Sequence, residues 1–83
     1  MRETDLQQIP YVGKRTEEAL RMLGFDSIAS LRGADPQEIY ERECFMTGQK
    51  IDRCQLYVYR MAVYYAENDI HDPAKLKWWA WKD

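Results

Sequence analysis

Three groups of side chains have the types and spacing to do chemistry. The first is Gly13-Lys14-Arg15, which follows Ile9-Pro10-Tyr11-Val12 and opens an amphipathic stretch. The first N–H groups of a helix lack intrahelical partners and its dipole is positive there, so such a position attracts anions. Glycine lets the backbone approach a ligand closely, and Lys and Arg add charge beside it. The chemistry expected of Val12, Gly13, Lys14 and Arg15 is phosphate binding without base readout, because phosphate contacts position a protein but do not specify sequence. Tyr11 sits in the turn itself, where its ring either blocks a phosphate or stacks on a sugar or base. Gly48 and Lys50 form a second, looser version of the pattern, with Arg53 and Arg60 further along. Glu41 and Glu43 precede that turn and oppose a polyanion, so a solvated face of mixed charge is the plainer reading of those cations.

The second group is Trp78, Trp79 and Trp81, interleaved with Lys75, Lys77 and Lys82. Aromatic rings between cations suit stacking on exposed bases. The plainer reading is a lid. Trp78 and Trp81 are one turn apart and dock together on the longest helix, which leaves Trp79 more exposed. The third group is His71 with Cys44 and Cys54. It supplies at most three scattered ligands, none at zinc-motif spacing, so no metal and no cofactor are expected. No nucleophile–base pair, phosphate-binding glycine loop or paired acidic motif is present, and an enzyme is not expected.

The composition bounds these readings. A chain of 83 residues is one small domain, near the lower size at which a core alone suffices. Its 46% hydrophobic and 13% aromatic content is enough for that core. A net charge of −2 argues against a strongly basic nucleic-acid binder and leaves room for a local basic patch. No apolar run has transmembrane length and Met1-Arg2-Glu3 starts no signal peptide, so a cytoplasmic, soluble protein that avoids membranes is expected. Cys44 and Cys54 are then reduced thiols on core faces, slow to react until the protein unfolds.

The elements that must position these groups are helices throughout, since caps punctuate every segment and alternating patterns are absent. Thr4 and Gln7 form a capping-box pattern for a first helix with Leu6 and Ile9 inward, ended by Pro10. The second helix starts at Gly13 or Lys14 and buries Thr16, Ala19, Leu20 and Leu23, with Glu17, Glu18 and Arg21 off that stripe. Gly24 stops it and Phe25 folds back. Asp26 caps a short helix over 27–32 with Ile28 and Leu31 inward, closed by Gly33. Asp35-Pro36-Gln37-Glu38 starts a fourth, carrying Ile39, Tyr40, Cys44 and Phe45 and closed by Gly48. The fifth, over 50–67, turns Ile51, Cys54, Val58, Met61, Ala62 and Tyr65 to the core, with Tyr57 and Tyr64 flanking. It leaves Asp52 and Gln55 outward. Asp72-Pro73 begins a last one. The fold class is all-α, a compact bundle of about five or six short helices. One domain spans 1–83: a hairpin at 6–24, a connector at 25–34, a second helical pair at 35–67 and a Trp-rich segment at 72–83.

Laying 9–20 over 44–55 places Gly13 on Gly48, Arg15 on Lys50, Thr16 on Ile51 and Ala19 on Cys54. This predicts a tandem pair with a degenerate second hairpin at Met46-Thr47-Gly48-Gln49, and a close helix crossing at the small residues Ala19 and Cys54. Ile9-Pro10-Tyr11-Val12-Gly13-Lys14 resembles the helix-hairpin-helix motif, hydrophobic-Pro-Gly-hydrophobic-Gly followed by Lys or Arg, with Tyr11 in place of the first glycine. Over its whole length the chain resembles small bacterial helix-hairpin-helix proteins of the pathogenicity-locus and mitomycin-resistance type. Over the hairpin and the next helix it is similar to the C-terminal domain of the competence regulator TfoX. The resemblance implies a DNA-binding scaffold with no known active site. The partner expected is DNA, as duplex held weakly and without sequence preference through Tyr11, Val12, Gly13, Lys14, Arg15, Gly48 and Lys50. The alternative is a protein-interaction adaptor with a vestigial hairpin, docking through its Tyr/Trp surface.

Overall fold

Prolines, glycines and capping aspartates cut the described residues into three α-helices and four short 3-10 turns. The computed structural model describes residues 5–82, and no strand occurs among them. Helix α1 is Lys14–Met22, α2 is Pro36–Thr47 and α3 is Arg53–Glu67. The remaining segments expected to be helices are single 3-10 turns: Leu6–Gln8, Ala29–Leu31, Pro73–Lys75 and Trp78–Trp81. Nucleating an α-helix fixes several residues for its first bond, and segments this short, hemmed by Pro or Gly, do not repay that. They tighten instead into i→i+3 bonds. The Thr4 cap lies outside the described residues.

Each α-helix starts and stops where its own side chains dictate. Asp35 accepts the Gln37 N–H at 2.9 Å with Pro36 in the first position, and Gly48 closes α2 in the left-handed conformation. Asp52 accepts the Cys54 N–H at 2.9 Å, which starts α3 at Arg53 rather than at Lys50. Helix α1 ends in a Schellman motif: Phe25 N–H donates to Leu20 O at 2.8 Å and Gly24 N–H to Arg21 O at 3.0 Å, with Gly24 at φ +98°. Arg42 donates to Leu23 O across the gap to α2. In the connector, Ser27 and Ser30 bond reciprocally and replace the expected Asp26 cap. Arg32 Nε then donates to Ala66 O and Gly33 N–H to Glu67, which closes the C-terminal end of α3.

Helix α3 is the centre of the core. It packs against α2, against the Ala29–Leu31 turn and against the Trp78–Trp81 turn. Neighbours on three sides explain why Leu56, Tyr59, Val63 and Ala66 are buried as well as the expected Val58, Met61 and Ala62. A one-faced pattern describes a helix packed on one side, and α3 is not one. Ile51 and Tyr65 are half-buried, and Gln55 is half-buried rather than outward. Phe45, assigned to the core, is 88% exposed. Glu17 and Glu43, read as surface residues, are buried. Gln7 donates to Glu17 at 3.0 Å and the Tyr59 hydroxyl donates to Glu43, so each carboxyl is held by a designated partner.

The close crossing expected at Ala19 and Cys54 does not form. Ala19 is half-buried, Cys54 is exposed, and both line an open groove between α1 and the α2–α3 junction. A larger side chain at either position meets space rather than overpacking. The overlaid glycines also differ: Gly13 is extended at φ −92° and caps α1, whereas Gly48 is left-handed and ends α2.

The Trp-rich end docks as a lid. On a 3-10 turn, residues three apart eclipse, so Trp78 and Trp81 fall on one side. Trp78 stacks on Tyr57 with ring centroids 6.4 Å apart, and Trp81 lies against Tyr64 at 5.4 Å. Arg60 donates to Trp81 O at 2.7 Å and the Trp81 indole N–H to Lys75 O at 2.9 Å.

Candidate nucleic-acid interface

The hairpin is a β-turn feeding a helix. Val12 N–H donates to Ile9 O at 3.1 Å, Pro10 takes the second position and Tyr11 the third, at φ +66°. Proline then positive φ is the type II pattern, whose third position normally demands glycine. The left-handed backbone here is therefore carried by Tyr11. Gly13 has ordinary extended φ, and a Cβ built on it meets nothing within 4 Å. Its value to a ligand is the open approach.

The structure divides the seven site residues. Val12 is buried and its N–H is spent on the turn, so it anchors the hairpin in the core and does not present an amide to a phosphate. Gly13, Lys14 and Arg15 are exposed at the start of α1, where no side chain caps the helix. The first bond into the helix runs from Glu17 N–H to Gly13 O at 2.9 Å, so the amides ahead of Glu17 lie at the open end. Tyr11 is 53% exposed. Gly48 and Lys50 are exposed in the α2–α3 loop. Arg15 and Lys50 both line one groove, about 580 Å³ in volume, while Tyr11, Gly13, Lys14 and Gly48 lie outside its lining.

That groove is not a uniform basic channel. Glu18, Glu43 and Asp52 line it too. Glu43 is committed to Tyr59, and hydrogen bonds from Cys54 hold the Asp52 carboxyl below its ordinary pKa, so Asp52 stays charged. Arg53 and Arg60 do not extend the hairpin surface. Both guanidinium groups lie over the Tyr57 ring, at 6.0 and 5.6 Å from its centroid.

One contact had almost no sequence signal. Trp79, 45% exposed, meets Tyr11 edge-to-face with centroids 5.6 Å apart, and Lys77 Nζ lies 5.8 Å from the Trp79 centroid. The lid and the hairpin tip are thus one surface. Only the expected outward position of Trp79 hinted at it.

The cysteines separate. Cys44 is half-buried against the core and Cys54 is exposed in the groove, contrary to the expectation that both are shielded. A hydrogen bond to Asp52, then burial, pushes the Cys54 thiol above its ordinary pKa. Brief alkylation of the native protein, read by peptide mapping, should label Cys54 well ahead of Cys44, with a rate that climbs with pH as thiolate forms. Asp52→Asn should speed the reaction at neutral pH. Equal protection of both thiols would contradict this placement. His71 stacks on Tyr65 at 4.0 Å and its Nε2 lies 2.9 Å from Tyr65 O, a packing role. Among the described residues no group of three or more His, Cys, Asp or Glu is placed to hold a metal ion. No helix among them is long and apolar enough to cross a membrane.

Comparison with known proteins gives a consistent assignment. The family model described as "Pathogenicity locus" matches residues 1–83. The chain is 37% identical over 76 residues to the "Mitomycin resistance protein McrB" of Streptomyces lavendulae, covering 92% of this chain and 69% of that relative. No solved structure matches.

Proposed function

The chain belongs to the pathogenicity locus family, and from that premise we propose that it binds DNA without sequence preference through phosphate contacts of a helix-hairpin-helix motif at 9–15. It acts as a cytoplasmic binding module rather than an enzyme, with 46–49 a degenerate second hairpin. The observation that carries this reading is the start of α1. It has no side-chain cap, it follows an open-sided glycine, and it bears exposed Lys14 and Arg15. A phosphate placed there meets the amides ahead of the first helical bond, the positive end of the dipole and two cations. Lys50 lines one groove with Arg15 and adds a cation beside it. Acidic neighbours keep the interaction weak.

The test is an amide-resolved titration with short DNA duplexes at low salt. Gly13, Lys14 and Arg15 are expected to shift most, and the core amides of α3 least. Silence at the hairpin would favour the second reading, a protein-interaction adaptor. That reading draws on the exposed apolar residues Phe45, Met46 and Ile70. Its Tyr/Trp docking face is narrow, because Tyr57 and Tyr59 are buried and Trp78 and Trp81 half-buried.

A further inference from the structure

From the pairing of Tyr11 with Trp79 we infer that the preferred ligand is single-stranded DNA, with an unstacked base seated on this aromatic pair beside the hairpin. The inference rests on the phosphate-binding reading of the hairpin and names the form of DNA it takes. Tyr11 is the one non-glycine residue at positive φ among the described residues. Left-handed backbone is costly for a residue with a Cβ and free for glycine. A buried ring offsets such strain through packing, but this ring is 53% exposed and meets another exposed ring edge-to-face. Strained backbone of this kind clusters at ligand-binding positions.

The surroundings fit a base rather than a protein side chain. Trp79 is braced from behind by Trp78, edge-to-face at 5.6 Å, and Trp78 is itself stacked on Tyr57. The platform is therefore backed by packed rings although its outer rings are exposed. Lys77 sits over the Trp79 ring, and Lys14 and Arg15 are exposed just past the turn that holds Tyr11. Lys77 on one ring, and Lys14 and Arg15 close in sequence to the other, complement a chain that alternates flat bases with phosphates. A base arriving on Trp79 displaces the Lys77 ammonium toward its own phosphate. Paired bases inside an intact duplex cannot reach the rings, so duplex DNA uses the phosphate contacts alone.

Fluorescence anisotropy with short oligo-dT and with a mixed-sequence duplex of equal length, at low salt, tests this. Tyr11→Gly removes the ring and suits the turn, and Trp79→Ala removes an exposed side chain, so both variants should fold. Wild type is expected to prefer oligo-dT and to show quenched tryptophan emission on binding. Each variant should lose about tenfold or more on oligo-dT, and Trp79→Ala should lose little on the duplex. Variants that match wild type on oligo-dT, with duplex binding intact, would overturn the stacking inference and leave the phosphate reading standing. No binding of either DNA by wild type would remove both.

Discussion

Tyr59→Ala should bring the protein to the edge of unfolding at room temperature, and Tyr59→Phe should fold but melt well below wild type. Tyr59 is fully buried in α3, its hydroxyl donates to buried Glu43, and it accepts from Gln55 Nε2 at 3.0 Å. Truncation to alanine removes a whole aromatic ring from the centre of the core, a loss of about 3–5 kcal/mol, and strips Glu43 of its donor. Domains of this size hold about 5–10 kcal/mol in total. The phenylalanine variant isolates the hydroxyl. Leaving the Glu43 carboxyl buried without that donor costs about 1–3 kcal/mol, a fall in Tm of roughly 5–20 °C for a domain this small. Tyr59→Phe combined with Glu43→Leu should recover much of the loss, because replacing both partners removes the polar group that was stranded. Thermal melts of the four proteins check this. A Tyr59→Phe protein that melts with wild type would mean the buried pair contributes nothing.

The same hydroxyl sets an alkaline limit. Burial first, then the bond to Glu43, pushes the Tyr59 pKa upward. The unfolded chain releases that proton near pH 10, while the folded chain keeps it. Above that pH the folded state binds more protons, so stability is fully present below about pH 10 and falls as pH rises further. Tyr40, raised by burial and its bond to Cys44, and Cys54 add to the slope. The difference between wild type and Tyr59→Phe isolates the Tyr59 share.

Capping residues made the helix limits readable, and neighbour-dependent features stayed hidden. Asp35, Pro36, Gly24 and Gly48 act through bonds to their own segment, so their meaning is local. Leu6, Ile9, Leu20 and Leu31 were placed inward for the same reason. The burial of Glu17 and Glu43 was not legible, since it depends on Gln7 and Tyr59 arriving from other elements. The fully surrounded position of α3 was missed because periodicity reports one packed side. In the site, Tyr11 is anomalous from its place in the motif, and its φ of +66° gives the physical content. Its partnership with Trp79 required the lid to close over α3, which no local pattern encodes. The overlay of Ala19 on Cys54 matched residue sizes without knowing that a groove separates them.

Binding to duplex DNA should collapse with salt and lose part of that sensitivity when Lys14 is removed. The molecule carries a net charge of −2, so its overall field does not draw in a polyanion. Attraction is left to Lys14, Arg15 and, more weakly, Lys50, which shares its groove with Glu18 and Asp52. With about two to four phosphates neutralised, log K falls against log salt with a slope of roughly −2 to −4, a loss of about ten- to several hundredfold between 50 and 200 mM. Lys14→Ala should weaken all duplex sequences alike and bring the slope about one unit closer to zero. Lys50→Ala should change it less, because acidic neighbours already offset that charge. The first turn of α1 also contains Glu17, whose buried carboxyl is held by Gln7 and already answers part of the helix dipole. That keeps affinity low even when the cations are engaged. A slope near zero, or a Lys14→Ala protein indistinguishable from wild type across the salt series, would show that the hairpin does not grip phosphate.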